Sequence, residues 1–100
     1  MEITRKEDNG SIILNIKGEI DGTNVDEFEK SLKESVSQSQ NVVLDLTGLV
    51  YISSTVLRVF LMYQKQMKAK GGVMVIKNVG NDVMDIFNVT GFVKLLNIEK

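Results

Sequence analysis

The sequence predicts an α/β fold: a mixed β-sheet of an N-terminal hairpin plus parallel strands, with helices packed mainly on one face. Three observations predict the sheet and its helices. A hairpin signal opens the chain, and two segments have the apolar spacing of amphipathic helices. Residues 42–77 have the pattern of strand, helix and strand, which requires a parallel, right-handed crossover. The expected element order is ββαβαβα(β), in a single domain over residues 1–100.

Residues 3–6 and 11–17 are predicted to form the hairpin. The Asn-Gly pair at 9–10 tolerates the positive φ angles of a tight turn. Alternate residues of the second strand are apolar and share one face: Ile12, Leu14 and Ile16. We expect this strand to end before residues 18–22, where two glycines break the pattern.

The first helix is predicted to begin at Thr23 or Asn24, since either side chain can cap a helix N-terminus. Its apolar residues recur at spacings of three and four and predict one buried stripe: Val25, Phe28, Leu32 and Val36. A polar loop at residues 37–41 ends it.

Residues 42–46 are apolar except for Asp45, a run that is typical of a central strand covered on both faces. Residues 73–77 predict another buried strand. Asp45 interrupts the first run, and we expect its carboxylate to lie near the strand end and to accept hydrogen bonds from loop N–H groups.

A long helix is predicted over residues 54–70, followed by a short helix over residues 82–88 that Asn81 can cap. Residues 95–98 are predicted as a last short strand or an extended tail. We expect most of the methionines at 62, 67, 74 and 84 to fill the core. The lysines at 65, 68 and 70 are expected to form a solvated basic side of the long helix.

The composition excludes several kinds of function. Twelve basic and thirteen acidic residues give a formal net charge of −1, which favours neither a nucleic acid nor an anionic membrane as partner. The absence of cysteine and histidine excludes a disulfide, a thiolate zinc site and a Ser-His-Asp triad within this chain. Neither a carboxylate spacing typical of a metal site, nor an apolar run near the ~20 residues that span a bilayer, nor a signal peptide is visible. We therefore expect a cytoplasmic protein that inserts in no membrane and holds no metal or cofactor.

The segment YISSTVLRVF, residues 51–60, places three hydroxyl side chains before the apolar run of the long helix: Ser53, Ser54 and Thr55. Such a cluster can cap the helix. It can also carry a phosphate, because a helix N-terminus presents unpaired N–H groups and the positive end of the helix dipole to an anion. A phosphate there would change a binding surface more than it changes the fold.

Three segments carry motifs in a fixed order: LNIKGEIDGTNVDEFEKSL (14–32), VVLDLTGLVYISSTVLRVFL (42–61) and IFNVTGFVKLLNI (86–98). Their order and spacing resemble the STAS domain family, and within it the small stand-alone anti-sigma factor antagonists of bacteria. That family has a G-E-[IL]-D segment before its first helix, a V-[IL]-L-D-[LF]-[ST] strand before a serine-bearing turn, and a late T-G-[LF]. The resemblance covers nearly the whole chain.

The resemblance implies which residues are functional. The family's switch serine stands in a pattern similar to [FY]-[IM]-D-S-[ST]-G-L, which residues 51–57 occupy. Ser54 takes the place of the phosphorylated serine, with Ser53 and Thr55 as alternative acceptors. Val56 stands where the family usually has glycine, at a position where a kinase would approach closely. The partner surface is expected to comprise Asp21, Asn24, Ser53, Thr55, Val56 and Arg58.

The resemblance also implies a regulatory binding protein without catalysis of its own. Unphosphorylated, it would bind an anti-sigma factor serine kinase and so free a sigma factor for transcription. The kinase, using ATP and magnesium, would end the binding by phosphorylating Ser54, and a serine phosphatase would restore it.

Two other interpretations stay open. Val56 favours a STAS subunit that is never phosphorylated and that belongs to a larger assembly such as a lipid-transport ABC transporter. A small carboxylate-dependent hydrolase is disfavoured by the absence of histidine, cysteine and a glycine-rich phosphate loop.

Overall fold

The computed structural model describes residues 1–99; Lys100, the last residue of the predicted domain, lies outside the described residues. Residues 1–99 form the following elements, with a 3-10 turn (Phe92–Lys94) after the last helix: β1 (Glu2–Asp8), β2 (Ser11–Ile20), α1 (Val25–Gln38), β3 (Asn41–Asp45), β4 (Leu49–Ile52), α2 (Ser54–Ala69), β5 (Val73–Lys77), α3 (Asn81–Thr90) and β6 (Ile98–Glu99).

The strands form one mixed sheet in the order β1-β2-β3-β5-β6, with β4 paired to the end of β2. β1 and β2 form the antiparallel hairpin, and the other pairings within residues 1–99 are parallel. The hairpin turn has positive φ angles at Asn9 (51°) and Gly10 (84°), as the Asn-Gly pair predicts. The predicted mixed sheet and its hairpin are confirmed.

β2 is longer than predicted, and its extra length pairs with a strand that the sequence analysis missed. Gly18 has a φ of +91° and donates its N–H to the Gly48 carbonyl at 2.9 Å. The strand therefore shifts register at Gly18 and continues to Ile20, where it pairs with β4. β4 has only four residues, two buried and two exposed, and so short a segment carries too little periodicity to predict a strand.

The helices pack on one face of the sheet, as predicted. The side chains of β2, β3 and β5 that point to this face are buried: Ile12, Leu14, Ile16, Val42, Leu44, Met74 and Ile76. Phe28 of α1, Phe60 of α2 and Phe87 of α3 form a series of edge-to-face contacts, with ring centroids 5.3 and 6.0 Å apart. These rings join the three helices into one core.

The opposite face of the sheet is only partly covered. Ile13, Val43 and Val75 lie side by side on it and are half-buried. The prediction that residues 42–46 form a strand covered on both faces is therefore wrong, and the predicted buried strand at residues 73–77 is buried on one face. A continuous apolar run does not by itself show cover on two faces, because β-branched side chains also suit a half-exposed surface.

The helices begin close to the predicted residues, and Asn24 occupies the N-cap position of α1, as one of its two predicted caps. Asn24, Ser53 and Gly80 occupy the N-cap positions of α1, α2 and α3, and none of the three provides a side-chain hydrogen bond to the first turn. Asn81 is the first residue of α3 and not its cap. The predicted side-chain caps are therefore wrong.

Candidate functional site

Ser54 is the first residue of α2 and is exposed, at the edge where the parallel strands end. β4 leads directly into this turn. The Ser53 N–H donates to the Ile20 carbonyl at the end of β2 (3.0 Å), and the Val56 N–H donates to the Ser53 carbonyl (3.1 Å). These bonds tie the turn of residues 53–55 (the serine turn) to β2 and leave Ser54 on the surface.

The hydroxyls of the serine turn do not cap α2. Ser53 holds the N-cap position, yet its side chain makes no cap bond, and its Oγ lies 3.2 Å from Thr55 Oγ1 instead. The interpretation of this cluster as a helix cap is therefore wrong. The N-cap residue of α2 therefore provides no side-chain acceptor for the backbone N–H groups of the first turn. Unpaired N–H groups at a helix N-terminus favour the binding of an anion.

Val56 lies in the core and not on the expected partner surface. Its side chain is 0% exposed, while Ser54, Thr55 and Arg58 are exposed. The expectation that Val56 contacts a partner or an approaching kinase is therefore wrong, because the helix period directs position 56 inward. The apolar spacing of residues 56, 57 and 60 already contained this signal.

The loop between β2 and α1 brings Asp21 and Asn24 to the same sheet edge as the serine turn. The Asp21 carboxylate accepts hydrogen bonds from Thr23 Oγ1 (2.6 Å) and from the Thr23 N–H (2.9 Å). The Thr23 hydroxyl is the main reason why the pKa of Asp21 lies below its ordinary value. Asn24 Oδ1 accepts from the Asp21 N–H at 2.9 Å, so the loop is held by its own side chains.

Asp45 ends β3, and its carboxylate is satisfied by the loops around it, as expected. It accepts from the Thr47 N–H (3.0 Å), from Thr47 Oγ1 (2.7 Å) and from Asn78 Nδ2 (3.1 Å). Burial acts to raise the pKa of Asp45, but the bonds from Thr47 and Asn78 outweigh it, and the pKa lies below its ordinary value. Asp45 therefore joins the loops after β3 and β5, which is a structural role.

The outward face of α2 carries cations and apolar side chains beside Ser54. An open recess of about 540 Å³ is lined by Thr55, Arg58, Val59, Leu61, Met62 and Lys65. Met62 is 41% exposed, so it does not fill the core as Met67 and Met74 do. Between Ser54 and Ala69 the helix contains three cations and no carboxylate.

Only part of this surface was predicted from the sequence. Arg58 and Thr55 were expected there, whereas Met62 and Lys65 were not, although the spacing of 58, 62 and 65 places them on one helix face. Val50 and Tyr51 of β4 are also exposed, by 54% and 46%, directly before the serine turn. They were missed because β4 itself was missed.

Two further findings concern metal ions and membranes. In the part of the chain that the structure describes, no group of three carboxylates could hold a metal ion. Over the same residues, no helix has the length and apolar character needed to cross a bilayer.

The fold and site together define a mixed-sheet α/β domain with an exposed serine at a helix N-terminus on the sheet edge. The family model described as STAS domain matches residues 2–100, and the chain belongs to the STAS domain family. A relative named as an anti-sigma factor antagonist, BtrV of Bordetella bronchiseptica, is 31% identical over 99 residues, covering 98% of this chain and 85% of that protein.

Solved structures agree with this fold. The crystal structure of an anti-sigma factor antagonist from Mycobacterium paratuberculosis superposes with a TM-score of 0.87 at 17% identity, covering 97% of this chain and 83% of that one. The Bacillus cell fate determinant SpoIIAA in its phosphorylated form superposes with a TM-score of 0.75 at 12% identity, covering 99% and 92%. At these identities the likeness shows the fold alone.

Proposed function

We propose that this protein is an anti-sigma factor antagonist switched by phosphorylation of Ser54. Unmodified, it binds an anti-sigma factor serine kinase and so frees a sigma factor. The kinase transfers the γ-phosphoryl group of ATP to Ser54 Oγ: the bond between the γ-phosphorus and the bridging oxygen breaks, ADP leaves, and the hydroxyl proton is released to solvent. The phosphoprotein then dissociates. A serine phosphatase hydrolyses the phosphoester with water. The chain acts in the cytoplasm as a single STAS domain over residues 1–100.

The observation that carries the proposal is an exposed Ser54 at the first residue of α2, with no side-chain cap from Ser53. The names of the relatives that the chain resembles support the antagonist role. A phosphate at this place adds about −1.5 to −2 charges. The helix N-terminus stabilises such a charge by about 0.3–1 kcal/mol at an exposed position. The fold therefore changes little, while an interface at Ser54 meets repulsion and a desolvation cost.

The proposed partner surface is formed by the loop after β2, the serine turn and the outer face of α2, and it comprises Asp21, Asn24, Ser53, Thr55, Arg58 and Met62. Val56 is no part of it, because its side chain is buried. The side chain at the position where the family usually has glycine therefore points into the core. Valine at this position leaves the outer face of α2 accessible to a kinase. The burial of Val56 supports the phosphorylation switch over a STAS domain that is never phosphorylated.

The experiment is phosphopeptide mapping of the protein isolated from its host, in parallel with capture of partners on wild-type and Ser54→Ala protein. Ser37→Ala is the matched control, because Ser37 is also an exposed helical serine whose hydroxyl bonds its own helix. We expect phosphate on Ser54 in the wild type and the Ser37 variant, and a serine kinase held by unphosphorylated protein and lost on phosphorylation. An unmodified Ser54 under all growth conditions, with a transporter subunit as the retained partner, would refute the switch.

A further inference from the structure

Ser54 and Arg58 lie one turn apart on α2, and both are exposed. Side chains four residues apart on a helix are neighbours, with Cβ atoms about 5–6 Å apart. Helical side chains also lean towards the N-terminus, so the long side chain at 58 leans towards position 54. A guanidinium placed there can bind a phosphate on Ser54 through two parallel N–H···O bonds.

Among residues 1–99, Arg58 forms no ion pair with another side chain. The ion pairs within residues 1–99 are Arg5–Glu7 and Lys77–Glu99, and neither involves Arg58. No carboxylate lies on α2. The carboxylate at 21, on the neighbouring loop, is held by its own hydrogen bonds to Thr23.

The other cations of α2 lie farther from Ser54. Lys65 is the next one along the helix, eleven residues from Ser54, which corresponds to about 16 Å along the axis. Arg58 is therefore the cation of α2 that stands within reach of the modified side chain. It also lines the recess on the outer face of α2, beside Met62.

We propose that Arg58 is the positioning residue that binds the phosphate on Ser54, so that one modification adds a negative charge and also withdraws a cation from the recess. This inference rests on the proposed phosphorylation of Ser54. In the unmodified protein the guanidinium stands at the recess, where a carboxylate of the partner can pair with it. In the phosphoprotein the same guanidinium pairs with the phosphate. The switch then acts by exchange of a salt-bridge partner as well as by repulsion.

The test uses the full chain with phosphoserine encoded at position 54 and follows the phosphate by ³¹P NMR as a function of pH. The second pKa of a phosphoserine is about 6. Pairing with a guanidinium one turn away should lower it by about 0.5 unit in the wild type relative to Arg58→Gln. Arg58→Lys should recover part of that shift, because it keeps the charge and loses the two-bond geometry.

Two controls separate this pair from other effects. Lys65→Gln should leave the phosphate pKa at the wild-type value, and phosphoserine at position 53, outside the helix, should be insensitive to Arg58→Gln. The helix N-terminus lowers the phosphate pKa equally in all Arg58 variants, so it cannot imitate the result. Equal phosphate pKa values in the wild type and Arg58→Gln, or an equal loss in Lys65→Gln, would overturn the proposal.

The outcome is distinguishable from failure of the proposed function. Phosphoserine is installed during synthesis, so the titration reports on Arg58 whether or not a kinase modifies Ser54 in the host. If Ser54 is not phosphorylated in the host, the proposed switch is rejected, but the ³¹P titration still tests whether Arg58 binds a phosphate at position 54. Both residues are exposed, so the variants should keep the wild-type amide spectrum.

Discussion

Replacing Val56 by alanine tests whether the side chain at the family's glycine position serves the core. Val56 is 0% exposed beneath the first turn of α2. The substitution removes two buried methyl groups, each worth about 0.8 kcal/mol of transfer free energy, and leaves a small cavity. We expect the free energy of unfolding to fall by about 2 kcal/mol, which is a large share of the roughly 5–15 kcal/mol typical of a domain.

Urea unfolding followed by circular dichroism measures this loss. With a slope of about 1–2 kcal/mol per molar for a chain of this size, the midpoint should fall by about 1–2 M. Thr55→Ala is the matched control, because Thr55 is the exposed neighbour and should change stability by less than about 0.5 kcal/mol. A Val56→Ala midpoint equal to that of Thr55→Ala would refute the burial of Val56. The argument that valine leaves the outer face open would then fail as well.

Three further predictions concern other parts of the fold. A Cβ at Gly72 would lie 2.5 Å from a methionine sulfur and 2.6 Å from a backbone carbonyl oxygen. Gly72→Ala should therefore lower the free energy of unfolding by about 1–3 kcal/mol, measured by thermal unfolding. A Cβ at Gly22 would meet open space, so Gly22→Ala should leave the stability unchanged. Burial and the Glu29 carboxylate raise the pKa of Tyr63 to about 12. Stability should therefore fall as the pH rises from 10 to 12, since the unfolded chain loses this proton first, and Tyr63→Phe should remove that fall. The pKa of Asp45 is lowered, so the stabilisation by its carboxylate should be present at neutral pH and decline as the pH falls below the ordinary carboxyl range. In Asp45→Asn the free energy of unfolding should fall less steeply over this acidic range.

Each of these predictions has an outcome that contradicts it. Equal melting temperatures for the two glycine variants would mean that the backbones near residue 72 do not approach closely. A spectrophotometric titration in which Tyr63 ionises near pH 10 would contradict the burial of Tyr63 and its hydrogen bond to Glu29. If the urea midpoint of Asp45→Asn fell with decreasing pH as steeply as that of the wild type, the carboxylate would not be held by the hydrogen bonds from Thr47 and Asn78.

Sequence patterns predicted the elements whose signal is local and repeated. The hairpin followed from the Asn-Gly pair, and the faces of α1 and α2 followed from helical spacing. β4 escaped prediction because its partner is the end of β2, which only continues past Gly18 through a register shift. No local pattern reports such a pairing, since the two segments are about thirty residues apart in the chain.

The candidate site was likewise predicted only in part from the sequence. The motif around residues 51–57 was enough to single out Ser54, and the resemblance also included Arg58 in the expected partner surface. The cluster of hydroxyl residues also suggested a helix cap, and the motif suggested a surface role for Val56; the structure contradicts both. A motif states which residue types occur together, but it does not state which side of the helix each one faces.

By itself the sequence determined the α/β class, the hairpin, the helix faces and membership of the STAS domain family. These depend on the period of apolar residues, on turn chemistry and on motif order, all of which act along the chain. Only the tertiary structure decided that β4 extends the sheet at β2, that Ser53 bonds Thr55 in place of the helix, and that Val56 lies in the core. The physical reason is that hydrogen-bond partners and burial are chosen by competition among groups distant in sequence, and that competition exists only once the chain has folded.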